Sequence, residues 1–185
     1  MSAGTVRPVP AAAGHILGAQ LSFPPDTNYC CVNLHISCYQ PAQFVRAENF
    51  VIDRGLGDVI SQSFGATEQT FPSRDSILDL RSAFVNARRH HVTVLGSAGD
   101  QGATDPLADT SCCYPMRVNS WPSADPLVTS LGSTQLHADE QGNRQAPDNV
   151  WNDGFAATGG GLSAIFERPQ FQNGVRWTSP KATTA

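Results

Sequence analysis

Charge is scarce in this sequence. Asp, Glu, Lys and Arg make up 15% of 185 residues, and 12 Lys and Arg against 16 Asp and Glu leave a formal charge of −4. No basic stripe is present, which argues against nucleic acid as a partner. Long apolar runs are missing too. Nothing approaches the ~20 consecutive apolar residues of a spanning helix, so no membrane span is expected. The stretch AAAGHILGAQLSF (Ala11–Phe23) is interrupted by His15 and Gln20 and follows Pro8 and Pro10, so it does not read as a signal peptide. Localisation is left open by these features.

Spaced cysteine pairs are also lacking. The cysteines are Cys30, Cys31, Cys38, Cys112 and Cys113, and adjacent pairs do not match the C-x-x-C spacing that wraps a zinc ion. No metal site is expected, and the pairing of the thiols stays open. Phosphate loops are absent for a similar reason. GSAGDQG and GGGLS both carry glycines, but neither fits G-x-x-x-x-G-K or G-x-G-x-x-G, and an acidic residue in the first would repel phosphate. GLSAI (Gly161–Ile165) lacks the last glycine of a G-x-S-x-G nucleophile elbow.

What is present is an α/β pattern. The first 40 residues are irregular and rich in proline, with Tyr29–Tyr39 alone alternating like a strand. From Pro41, PAQFVRAENFVIDRG places Phe44, Ala47, Phe50 and Val51 on one helical stripe, and Gly55 stands where a helix would stop. GDVISQSFG reads as a short strand. Ser73 or Ser76 can cap a second helix, DSILDLRSAFVNARRHH, which buries Ile77, Leu80, Phe84 and Ala87. His90 and His91 close it, where a cation favours the dipole. VTVLGSAG is the next strand. Strand, helix and strand with short joints make a βαβ unit with parallel strands. Beyond it come a Pro- and Ser-rich loop (111–126), a strand in PLVTSLGSTQL, a polar turn in HADEQGNRQAPDN, a returning strand at VWND, and a glycine run. The tail, 176–185, is small, polar and expected to be disordered.

Open α/β sheets bind ligands at the C-terminal ends of their strands. Gly65 and Asp100 both lie there. By itself Asp100 reads first as a turn aspartate and only second as a site carboxyl. Asp75 and Asp79 read as a solvated helix face, and Ser163 as a loop or cap serine.

The ordered set DVISQSFGATEQTF, VTVLGSAGDQGATD, YPMRVNSWPSADPLVTSLGSTQL, VWND and TGGGLSAIFERPQFQ resembles the middle of the sedolisin (serine-carboxyl peptidase) family over residues 41–175. The resemblance implies a partial subtilisin-like parallel sheet with flanking helices, incomplete at both ends. It implies serine-type endopeptidase chemistry in acid, a peptide or protein substrate, and secretion. Asp100 matches the family's oxyanion-hole aspartate. Such a group donates a hydrogen bond only when protonated, and burial and low pH both favour the neutral acid. Ser63, Phe64 and Gly65, together with Gly99, match the wall along which extended peptides pair by strand addition.

Other family features have no match. The sequence has no G-T-S motif to supply the nucleophile, and the family's calcium site is absent, so no cofactor is expected. Glu48 and Asp53 stand five apart instead of four, roughly 140° around a helix at ~100° per residue. They read as exposed charges, not as the glutamate–aspartate base pair. An inactive chain is the expectation, with a non-catalytic peptide-binding or assembly module as the alternative and an α/β protein with a purely structural Asp100 loop as a third reading. A sheet short of elements would leave edges and apolar faces exposed, so the chain is expected to fold poorly alone or to need another chain.

Overall fold

The structure is a computed structural model that describes residues 41–107 and 112–175. The irregular first 40 residues, the strand expected at Tyr29–Tyr39 and the tail from 176 lie outside the described residues. Helix α1 (Pro41–Asp53) leads into strand β1 (Val59–Gln62). Its end is a Schellman turn: Gly55 adopts φ +59°, its N–H donates to Ile52 O, and the Leu56 N–H donates to Val51 O. Glycine suits that left-handed position because it carries no Cβ.

The expected capping serine is resolved. Ser73 accepts from the Ser76 N–H while the Ser76 hydroxyl faces the Ser73 N–H, a reciprocal box at the start of α2 (Arg74–Leu78). One turn of 3-10 helix, Asp79–Arg81, joins it to α3 (Ser82–Arg89), so the single expected helix is tightened at its middle. Ile77, Phe84 and Ala87 are buried as the spacing predicts, Ala83 joins them, and Leu80 packs at the edge.

Strand β3 (Thr93–Ser97) then pairs parallel with β1, Val59 opposite Thr93 and Gln62 opposite Gly96. The βαβ unit is therefore formed. β5 (Thr129–Leu131) adds on the far side, again parallel, giving the order β1-β3-β5. A two-stranded ladder couples β2 (Ala66–Thr67) to β4 (Ser120–Trp121), and a hairpin pairs β6 (Thr134–Gln135) with β7 (Asn149–Val150), the expected returning strand. Asp139 organises the polar turn between them by accepting from the Gln141 and Asn143 N–H groups and from the side chains of Asn143 and Gln145. These bonds hold its carboxylate below the usual range.

Three features of the fold depart from the sequence reading. The inner face of α1 is Val45, Glu48 and Ile52, whereas Phe50 is exposed under Arg54 and Phe44 stacks on Phe64. Glu48 is thus not an exposed charge: it is 8% exposed, and its Oε2 has no hydrogen-bond partner among the described residues. Burial raises its pKa from 4.5 to about 7. Asp53 remains on the surface, where the Asn86 amide bonds both it and Asn49 and so ties α3 to α1. Finally, the Pro- and Ser-rich segment holds the centre of the core. Trp121 is among the largest fully buried side chains and meets Phe84 and Phe71 at ring separations of 5.5 and 5.9 Å. Cys112 and Cys113 pair with each other in that segment.

Among the described residues only one face of the parallel sheet is covered. Ile60, Gln62 and Val94 face the helices, while Val59 (57% exposed), Leu95 and Leu131 (47%) point the other way. No helix among the described residues is long and apolar enough to cross a membrane.

Candidate functional site

Parallel pairing puts the ends of β1 and β3 at one rim, since Gln62 and Gly96 stand opposite each other. The chain leaves β1 through Ser63, Phe64 and Gly65, and leaves β3 through Ala98, Gly99 and Asp100. Ser63 and Gly65 are exposed, and the Phe64 ring lies on Phe44 with centroids 4.1 Å apart, which anchors this wall to α1. A Cβ on Gly65 would come within 3.0 Å of the Trp121 carbonyl oxygen. Glycine at that position lets β2 enter its ladder with β4.

The Asp100 loop is built from backbone. Gly99 and Gly102 adopt φ +101° and +67°, which a side chain would strain. The loop is clamped by the glycine run: the Gly159 N–H donates to Gly99 O at 2.7 Å, the Ala157 N–H to Asp100 O at 2.9 Å, and the Gly102 N–H to Ala157 O at 3.0 Å. Contact is so close that a Cβ on Gly159 would lie 2.0 Å from Ala98 O, and one on Gly161 would lie 2.5 Å from Val118 O. The glycines that failed as a phosphate cradle are thus a surface for backbone approach. Three in a row were the available signal, but they do not name the strand they approach. Gly159→Ala should lower stability by about 1–3 kcal/mol in a thermal or urea melt. Gly174→Ala, at a position with nothing within 4 Å, should leave the melt unchanged.

Asp100 itself is exposed. The burial that would favour its neutral form is therefore not supplied by the described residues. Its backbone is held, and the next residue, Gln101, lines a shallow groove together with Asn152 and Phe155.

Glu68 is a site residue the sequence reading did not single out. It follows β2, is 3% exposed, and accepts from the Ser163 hydroxyl and from the Ala164 N–H at 2.6 Å. Ser163 in turn accepts from the N–H groups of Ile165 and Phe166. It is a loop serine that bonds the backbone just ahead of it, within the loop-or-cap expectation. Burial raises the Glu68 pKa, and the hydrogen bonds from Ser163, Ala164 and Ile165 oppose that shift.

Glu48 and Asp53 do not converge, since one is buried in the core and the other is at the surface. His90 closes α3 with Nδ1 3.1 Å from Asn86 O. Among the described residues no three His, Cys, Asp or Glu side chains gather in a way that could hold a metal ion.

Comparison with known proteins finds relatives that match part of this chain. The chain is similar to kumamolisin of Bacillus sp. (strain MN-32), 38% identical over 116 residues that make up 62% of this chain and 20% of that protein. It is also similar to tripeptidyl-peptidase sed5 of Aspergillus fumigatus, 33% identical over 135 residues, 60% of this chain and 21% of that protein. Its fold matches a solved structure of Pseudomonas sedolisin, a serine-carboxyl proteinase complexed with two molecules of pseudo-iodotyrostatin. The TM-score is 0.64 at 25% identity, covering 74% of this chain and 38% of that one. The matched region is similar in sequence to these peptidases and in fold to sedolisin. No family model matches the chain. The chain spans about a fifth of the length of these curated relatives.

Proposed function

We propose that this chain is the central portion of an acid-acting, serine-type endopeptidase of sedolisin type, and that it hydrolyses nothing by itself. The observation that carries this reading is the Asp100 loop, locked by backbone bonds beside the Ser63–Gly65 wall at the end of a parallel sheet. In the proposed roles, Ser63, Phe64 and Gly65 with Gly99 pair with an extended peptide, and protonated Asp100 donates to a developing oxyanion. The sequence contains no G-T-S, and Glu48 and Asp53 cannot act as a pair on one serine. Removing a nucleophile from such a unit costs several orders of magnitude in rate.

The test is hydrolysis of an unfolded protein substrate between about pH 3 and 5, the acid range that the proposed chemistry calls for. The purified chain should show none. Activity that survives rigorous purification would mean that a nucleophile is present elsewhere in the chain. The position of β1 at the sheet edge among the described residues favours a second reading, peptide capture without cleavage. Titration calorimetry with a library of extended peptides at acid pH measures it, and no binding would remove it.

A further inference from the structure

We propose that Glu68 is a positioning residue that sets the Asp100 loop, acting through the segment Ser163–Ala157. The proposal rests on the reading of Asp100 given above and adds a residue to it. Ala157–Ser163 runs as a glycine-rich strap across the rim. At its N-terminal end it bonds the Asp100 loop, as described, and the Thr158 N–H donates to Trp151 O at 3.0 Å. Gly159, Gly160 and Gly161 follow, the middle one at φ +147°. Three glycines lose more backbone freedom on ordering than any other residues would, so the strap stays taut only if its far end is fixed.

Glu68 is what fixes it. Both carboxylate oxygens accept from the strap's end, one from the Ser163 hydroxyl and the other from the Ala164 N–H. Glu68 is itself rooted, because its N–H donates to Asn119 O at 3.0 Å and the adjacent Thr67 is buried in the β2–β4 ladder. Asn119 closes the ring by donating from Nδ2 to Gly161 O. The strap is therefore held at one end by a buried carboxylate and at the other by the loop whose geometry the proposed chemistry needs. A glutamine of the same shape could not serve. It offers one acceptor oxygen, and its NH2 group would face an N–H or O–H donor.

The experiment is residue-resolved amide hydrogen exchange on the full chain, wild type against E68Q and S163A. The amides of Gly102, Ala157 and Gly159 should exchange roughly tenfold or more faster in both variants, as expected for loss of a charge-assisted bond. Those of Val92 and Ala124, bonded to Ala87 O and Ser120 O, should keep their rates. Uniform acceleration at all five amides would show that Glu68 serves general stability, and no change at the strap would show that it positions nothing; either overturns the proposal. S163A leaves the buried carboxylate in place, so the result stands even if E68Q fails to fold. The exchange pattern reads loop positioning with no peptide present. Failure of peptide binding with the pattern intact therefore counts against the functional reading alone.

Discussion

Arg81→Ala is expected to destabilise the protein by about 3–5 kcal/mol. The Asp125 side chain is fully buried and accepts a two-pronged grip from Arg81, Nε to Oδ2 at 2.6 Å and a terminal nitrogen to Oδ1 at 3.0 Å. Its Oδ1 also accepts from the Leu127 N–H. Removing the guanidinium strands a carboxylate in a dry site, where the loss is dominated by uncompensated charge and not by the bond itself. The same side chain lies over the Phe166 ring with the guanidinium carbon 5.0 Å from its centroid, so truncation also loses packing. Arg81→Lys should recover only part of the loss, because an ammonium cannot present the planar fork. Urea unfolding at neutral pH measures both changes. A loss below about 1 kcal/mol for the alanine variant would mean the pair behaves as a surface bridge.

The second large effect depends on pH. Glu48 has a pKa of about 7 in the folded chain against an ordinary 4.5. Between those values the folded state binds more protons than the unfolded one, so this group's contribution is complete below about pH 4.5 and is lost as pH rises through 7. The total is about 3 kcal/mol. Glu48→Gln, which keeps the shape without the titration, should flatten that slope. The variant should overtake the wild type in stability near and above pH 7 and match it in acid. Melting temperatures of the two proteins from pH 4 to 8 test this, and parallel curves would show that Glu48 reaches water in the folded chain.

Much of this architecture could be read from residue order. The βαβ unit was legible because Ile77, Phe84 and Ala87 recur at helical spacing behind a serine cap, and because Gly55 and Gly65 punctuate the elements around it. Glu48 was not, because apolar stripes were the guide to the buried face of α1, and a carboxylate at the centre of that face breaks the stripe. The strand at Ser120–Trp121 was hidden by its length and by the prolines and serines around it; its pairing is decided by Trp121 filling the core, a tertiary effect. At the site, family motifs marked Asp100 and the Ser63–Gly65 wall. Glu68 escaped because its partners, Ser163 and Ala164, lie 95 and 96 residues away in sequence.

The bare side of the β1-β3-β5 sheet affects how long the polypeptide lasts in a cell. Parallel strands are ordinarily sheathed by helices on both sides, and among the described residues Val59 and Leu131 are left exposed while Leu95 is half-buried. Chaperones and degradative proteases sort molecules by such greasy surfaces. Covering that side therefore favours a longer-lived chain.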